Sequence, residues 1–505
     1  MCQSLAGLAF CGFDALMSSS QELLSASVII AAMRKILTSL LLLLPLQANA
    51  DGLPDLGDIS QSVVSPRMER QIGEQSMLRI QASDTYLDDP ELHDYINQLG
   101  NRLVANSSEP SQPFEFFILN DNTINAFALP GGFIGVNTGL IQLSQSESEL
   151  ASVLGHEISH VTQHHLARMI SGQQYDSIAA MAAIAVAIIA ARNNPQAATA
   201  AIVGAQGGMM QRQLDFTREH EKEADRIGLG ILEKSGFDTR AMPAFFERMQ
   251  KATQIHEGNT PTYLRTHPLT ADRIADVDGR VQQIPFKLIA DSLDFQLMRA
   301  RVRAMQSVPS DAITYFNGAL GEQRFGNPLA QRYGLVLSLL LNKQTELATK
   351  EFQTLYAQAP HNATIETMAG QFKQLNRDKD ALNFYRKALK QFPTHHALIY
   401  SYAEALIEAK QYNDALKFLD EQVNINGNDA RLYELQARNY TALNRHQEAH
   451  HVLSYYQILH GNLRAAIEQL ELAKLAGKDY YQLSTIETEL KQYREILDAQ
   501  RSKKK

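Results

Sequence analysis

Small residues recur in the second half of the chain with a period of about 34 residues, and this period limits the fold more than any other feature of the sequence. Ala312, Ala348, Ala381, Ala415 and Ala449 mark it. Each follows a polar turn, and several precede aromatic or aliphatic partners, as in Asp380-Ala381-Leu382-Asn383-Phe384-Tyr385 and Asp414-Ala415-Leu416-Lys417-Phe418-Leu419. Pro360 and Pro393 close two of the units. A unit of this length is a helix pair whose alanine lets the two helices approach closely. It cannot bury its apolar face alone, so the units must stack into an α-solenoid with a concave surface. The pattern begins near Phe295, and Ala466 follows Ala449 after about half a period, which predicts an irregular final unit before the polar tail Arg501 to Lys505. Such an array holds a protein partner or an extended substrate, or folds back as a cover on the rest of its own chain; partner binding is the expectation.

The first half carries a different kind of signal. Residues 156 to 160 read His-Glu-Ile-Ser-His. On a helix, positions four apart lie one turn above each other, so His156 and His160 can direct both imidazoles at one metal ion while Glu157 stands beside it as a proton acceptor. A word this short also arises by chance, and its context decides. Ser146 and Glu149 form a capping box, and Leu150, Val153, Leu154, Ile158 and Val161 follow at helical spacing, which predicts an amphipathic helix carrying the whole word.

At 505 residues the chain is long enough for two or three domains. Its 45% hydrophobic and 20% charged residues are those of a soluble globular protein, and a net charge of -8 supplies no basic footprint for nucleic acid. Met33-Arg34-Lys35, the apolar run Ile36 to Leu46 and Ala48-Asn49-Ala50 read as a secretory signal peptide over 33–50 with cleavage after Ala50; about eleven apolar residues are too few for a span that needs ~20. Residues 1–32 read as an upstream extension from an early start assignment, with a translated leader as the other reading. Both cysteines, Cys2 and Cys11, fall in this part, so any metal in the remainder must be held by histidine and carboxylate.

A hydrolytic zinc needs a third protein ligand and an open position. Arg218 to Gly228 offers Glu221 and Asp225, four apart on one helical face, so that Glu221 can ligate while Asp225 accepts a hydrogen bond from a ligand imidazole. Spacing alone leaves Glu219 and Glu223 as equal alternatives, on what is otherwise a solvated charged face. Leu129-Pro130-Gly131-Gly132 predicts a hairpin-like turn into a strand over Phe133 to Asn137. Such a strand edge beside a metal can bind substrate in extended form, although a purely structural hairpin reads equally well. Ser177 to Ala191 is rich in Ala, Ile and Val and is broken at Arg192-Asn193-Asn194-Pro195 before a second run ending near Gly208. At about fifteen residues it is short for a span, and it is expected as a helical hairpin beside the active cleft, with Gly204, Gly207 and Gly208 permitting movement, or as an ordinary buried hairpin.

Asn125 to Gly132, Gly139-Leu140-Ile141, His156 to His160, Glu221 to Asp225 and Thr266-His267-Pro268, in this order over most of residues 65–285, resemble the M48 family of zinc metallopeptidases. The second half resembles tetratricopeptide repeats. The resemblance implies a mostly α chain: a zincin-like (gluzincin) domain with a small β-sheet over 51–290, then an α-solenoid over 291–505. It implies one Zn²⁺ per subunit on His156, His160 and Glu221, with Glu157 as catalytic base and Asp225 supporting it. His267, in the expected loop Thr262 to Pro268, would stabilise an oxyanion or reach the zinc as an extra ligand, in which case the resting site is latent.

Exported M48 peptidases with such repeats imply a periplasmic zinc endopeptidase and chaperone in outer-membrane protein quality control. Its clients would be β-barrel proteins, including the lipopolysaccharide-assembly barrel, and it would degrade misassembled ones. The repeats would meet the barrel-assembly machinery, and contact with the outer membrane would be peripheral, without a spanning helix or nucleic acid. The alternative is a periplasmic scaffold or holdase with a structural or vestigial zinc site.

Overall fold

The computed structural model describes residues 65–171, 210–255, 261–322, 326–359, 361–477 and 479–502. The signal segment 33–50, the extension before it, the alanine-rich segment 177–208 and Pro360 lie outside the described residues. Among those described, no helix is long and apolar enough to cross a membrane.

The first two helices, α1 (Pro66–Gln81) and α2 (Pro90–Val104), each open with proline in the first turn behind a capping side chain, Ser65 to Met68 N and Asp89 to Leu92 N. Proline fits there because it lacks only a donor that would be unpaired anyway. Three short strands follow, β1 (Glu115–Leu119), β2 (Ala126–Leu129) and β3 (Phe133–Asn137), in the order β1-β3-β2. β1 runs parallel to β3, while β2 runs antiparallel and forms an edge. The β2–β3 turn is the expected hairpin, and it needs its glycines because Gly131 and Gly132 have φ of 75° and 90°.

After α3 (Thr138–Leu143) comes α4 (Glu147–Thr162), which carries the His-Glu-Ile-Ser-His word. Ser146 Oγ accepts from Glu149 N, as the capping box predicts, but Glu149 Oε2 reaches one residue further back, to Gln145 N at 2.7 Å. Leu150, Ala151, Leu154 and Ile158 are fully buried on the core face of α4. The described elements continue with α5 (His165–Ser171), α6 (Met210–Lys234), α7 (Ala241–Ile255), α8 (Thr262–Thr266) and α9 (Ala271–Val281). Thr262 to Pro268 is thus not wholly a loop: Thr262–Thr266 forms one helical turn, tied down by Tyr263 N donating to Ile124 O.

From residue 293 the chain is a succession of helix pairs: α10 (Leu293–Gln306) with α11 (Pro309–Glu322), α12 (Pro328–Leu341) with α13 (Thr345–Gln358), α14 (Ala363–Leu375) with α15 (Ala381–Gln391), α16 (His396–Glu408) with α17 (Tyr412–Ile425), α18 (Ala430–Ala442) with α19 (His446–Leu459), and α20 (Leu463–Ala476) with α21 (Tyr480–Ser502). The five periodic alanines lie in the second helix of the first five pairs, and all are buried. Ala466, also buried, lies in the first helix of the last pair, which accounts for the half period. A second period is visible only in the backbone. Lys343, Arg377, Lys410 and Asn444 take left-handed φ of 53–60° between paired helices, and the next residue's N–H bonds back five positions, as Gln411 N does to Leu406 O.

The array packs on the protein's own first half. Asp89, while capping α2, takes Arg301 of α10 on both oxygens at 2.7–2.9 Å. Glu91 accepts from Thr364 Oγ1 of α14 and lies 3.2 Å from His395 Nε2. Asp94 lies 3.1 Å from His395 Nδ1 and accepts from His396 N at 2.8 Å. Beneath these charges Leu92, Ile96 and Leu99 share one continuous core with Phe295, Met298, Val336 and Phe372. Arg301 of α10, Thr364 of α14 and His396 of α16, each in the first helix of its pair, thus bond to α2.

Candidate metal centre

Helices α4 and α6 touch at glycine. A Cβ on Gly228 would lie 3.0 Å from the backbone of Gly155 and His156, and one on Gly155 3.2 Å from Gly228 O, so the glycine pair lets the helices approach this closely without a shift. Gly155 immediately precedes His156, and Gly228 lies nearly one turn after Asp225, so this contact sets the two sequence motifs face to face.

His156 Nε2 and His160 Nε2 are 3.0 Å apart. Glu221 Oε2 is 3.3 Å from the first and Oε1 3.4 Å from the second. His267 Nδ1 completes the group, 3.3 Å from His156 Nε2 and 3.0 Å from Glu221 Oε1. One donor atom from each of the four lies within 4.8 Å of all the others. Nitrogen and oxygen donors ~2.0–2.1 Å from a central ion at tetrahedral corners are about 3.3–3.4 Å apart, close to the 3.0–3.4 Å that separate His156, His160 and Glu221. The charges fit too: Glu157, Glu221 and Asp225 are buried together with Arg273, three carboxylates and one guanidinium, and a dication balances such an excess.

Each sequence-predicted residue has a definite place. His156 Nδ1 faces Asp225 Oδ1 at 2.9 Å. Burial opposes a charged His156, but Asp225 and Glu221 outweigh it and raise its pKa to about 10, so that in the absence of metal a proton takes the cation's place between the carboxylates. Burial lowers His160 to about 4, with Glu221 only partly opposing, which keeps its ring neutral as a metal donor must be. Burial works against ionised Glu221, yet His267, His156 and His160 hold its carboxyl well below the usual range. Glu157 is 1% exposed; its Oε1 makes no hydrogen bond among the described residues, and His267 Nε2 lies 3.4 Å away. Of the two alternatives to Glu221, Glu219 is exposed, and Glu223 turns to Arg168 and His165.

Three features lie beyond what the sequence motifs indicate. Arg273 of α9, 1% exposed, donates to Asp225 through Nε and Nη2 at 2.7 Å and lies 2.8 Å from Glu221 through Nη1, locking the third donor to the support behind His156. Tyr263 stacks on His267 at 4.8 Å between ring centroids and 28° between planes. His165 lies behind His160. The only sequence hint for Arg273 is its place six residues after His267; the glycine pair has none beyond adjacency to the motifs.

His160, Glu221 and His267, with Glu157, floor a cleft of about 300 Å³, walled on one side by Phe127, Ala128 and Leu129 of edge strand β2 and on another by Val161, His164 and Leu166. A helix bearing two histidines and a carboxylate, a glutamate facing them from a following helix, and an edge strand along the cleft are the arrangement of a metallopeptidase.

The profile of Peptidase family M48 matches residues 90–281, and a tetratricopeptide profile matches residues 374–438. The beta-barrel assembly-enhancing protease of Escherichia coli K12 is 34% identical over 429 residues, 84% of this chain and 87% of the relative. The putative beta-barrel assembly-enhancing protease of Vibrio cholerae is 36% identical over 388 residues, 76% of this chain and 80% of the relative. The mitochondrial metalloendopeptidase OMA1 of Arabidopsis thaliana is 31% identical over 198 residues, 39% of this chain and 38% of the relative. The chain belongs to peptidase family M48, in the group that joins the peptidase to tetratricopeptide repeats. It is a metal-dependent peptidase.

Proposed function

We propose that this chain is a periplasmic zinc endopeptidase and chaperone that serves outer-membrane β-barrel assembly and removes misassembled barrels. The observation that carries the chemistry is the convergence of His156, His160, Glu221 and His267 beside the unsatisfied Oε1 of Glu157. The relatives' names carry the biological role and favour a protease over a scaffold with a vestigial site.

In this reading the peptidase half spans 51–290 and the repeats 291–505, and His156, His160 and Glu221 hold one Zn²⁺. Zn²⁺ held there supplies Lewis acidity at the scissile carbonyl. Glu157 takes the proton of the attacking water on Oε1 and returns it to the leaving amine. Asp225 orients His156 through Nδ1, and Arg273 holds Asp225 and Glu221 in register. Edge strand β2 pairs with an extended substrate through main-chain hydrogen bonds, which accept many side chains. His267 would join these donors at rest, which would leave the resting enzyme latent. The inner faces of the first helices are partly occupied by α2, so barrel clients and the assembly machinery meet the outer and terminal parts of the array. Contact with the outer membrane is peripheral.

The test is metal analysis of the purified protein, with cleavage of an unfolded barrel protein by wild type, Glu157→Gln and His267→Ala. One zinc per chain, loss of cleavage in the first variant and altered cleavage with retained zinc in the second are expected. Normal cleavage by Glu157→Gln defeats the assignment of the base.

A further inference from the structure

Two histidine donors face the metal position, and they are backed differently. Behind His156 stands a carboxylate, Asp225. Behind His160 stands another imidazole: His165 Nδ1 lies 2.9 Å from His160 Nδ1. His165 is 4% exposed, its Nε2 lies 3.2 Å from Glu223 Oε2, and the same oxygen accepts from Arg168 Nη1 at 3.0 Å. His220 covers the ring face, 4.2 Å between centroids and 5° from parallel.

We propose that His165 is a positioning residue which, ordered by Glu223 and Arg168, selects the tautomer of His160 and so presents its Nε2 lone pair to the metal. This role rests on the metal site assigned above and follows from proton placement. Two Nδ1 atoms at hydrogen-bond distance share one hydrogen. A carboxylate oxygen can only accept, so the Nε2 of His165 that faces Glu223 carries a hydrogen, and its Nδ1 is then a bare acceptor. The shared hydrogen therefore sits on His160 Nδ1, leaving His160 Nε2 bare toward Glu221 and His156. The opposite order would set a lone pair against the Glu223 carboxylate and a hydrogen into the donor group. A ligand imidazole held this way is fixed in tautomer and orientation.

The backbone is bent to make this contact. His164, between α4 and α5, has φ 48°, a left-handed conformation that is strained for a non-glycine residue. Carboxylates on both sides of its ring, Glu69 at 3.3 Å from Nδ1 and Glu109 at 3.4 Å from Nε2, tie it down. That turn ends α4 and brings His165 back beneath His160.

The test compares His165→Phe, which keeps a ring against His220 but cannot accept, with His165→Asn, whose amide oxygen can stand where Nδ1 stood. Zn²⁺ affinity is measured by chelator competition, the visible spectrum of the Co²⁺-loaded protein reports donor geometry, and the melting temperature of the metal-free protein controls for folding. His165→Phe is expected to weaken Zn²⁺ binding about 10–100-fold and shift the Co²⁺ bands with the metal-free melting temperature unchanged, and His165→Asn to recover most of the affinity. Wild-type affinity in His165→Phe, or equal loss in both variants, overturns the proposal. If His165→Phe does not fold, Glu223→Ala decides: it should weaken Zn²⁺ binding, and unchanged affinity overturns the relay. A wild type that binds no zinc overturns the metal-site reading and the relay with it, whereas normal wild-type binding with indifferent variants overturns the relay alone.

Discussion

The peptidase half and the repeat half use opposite means of holding helices together. In the first, α4 meets α6 through glycine backbone and a knot of buried charge: Arg273 on Asp225 and Glu221, Asp225 on His156. In the second, the first five helix pairs close on one small alanine, four of them through a left-handed turn, and the ion pairs are mostly exposed. Buried charges depend on every partner, because removing one strands the others away from water. Repeated apolar contacts spread the load over neighbours. The site is therefore intolerant residue by residue, while the array tolerates single changes, and the seam at α2 combines both.

The sharpest break of this contrast is Arg273→Met, which leaves Glu221 and Asp225 buried without their cation. A loss of roughly 3–5 kcal/mol in the metal-free protein is expected by denaturant unfolding. Zn²⁺ should restore part of it, because binding to the folded state adds stability. A variant as stable as wild type would show that the knot contributes nothing.

Gly228→Ala ranks next. Its methyl would lie 3.0–3.1 Å from the backbone of Gly155 and His156, so the two helices must move slightly apart, and a loss of about 1–3 kcal/mol and weaker Zn²⁺ binding are expected together. Stability lost with zinc affinity intact would separate the helix contact from the site.

The seam gives a pH prediction. Burial opposes a charged His395, but Asp94 and Glu91 outweigh it and raise it from 6.5 to about 10. Its contribution is thus full below pH 6.5 and is lost as pH rises through about 10. Burial also opposes ionised Asp94 and Glu91, yet His395 leads the groups that hold both below their usual range, so their contribution is lost only in acid. Unfolding midpoints should fall between pH 6.5 and 10, and His395→Gln should flatten that fall; an equal slope in the variant removes His395 from the seam's pH response.

The smallest effect belongs to the array. Lys410→Gly relieves an exposed left-handed residue and should raise stability by up to about 1 kcal/mol by calorimetry, with peptidase activity untouched. A loss would mean that the lysine side chain holds the turn.

Much of the molecule is legible in its sequence. The alanines at 312 to 449 mark the second helices of the first five pairs, and the run after Ser146 is one helix, because both patterns are local and repeat at the period of the element they form; that this helix is buried on its polar face as well, and not only on its apolar one, is decided by the fold. Spacing brings Glu221 and Asp225 onto one face but leaves Glu219 and Glu223 open, since a helix offers each carboxylate the same backbone; the α4–α6 contact chooses. Thr262 to Pro268 reads as loop because the tie of Tyr263 to Ile124 that nucleates its single helical turn is far away in sequence.

By itself, then, the sequence determined that Ser146 to Val161 carries a helix, that the second half is stacked helix pairs, and which residue types stand ready to hold a metal, because each of these is written in intervals of a few residues or in a repeated unit. Only the tertiary structure decided that Arg273 and His165 stand behind the donors, that His267 joins them, and that the repeats grip α2. Those contacts join residues that no local periodicity relates, and they exist only once glycine at Gly155 and Gly228 has let two helices come close enough to bury their charges against each other.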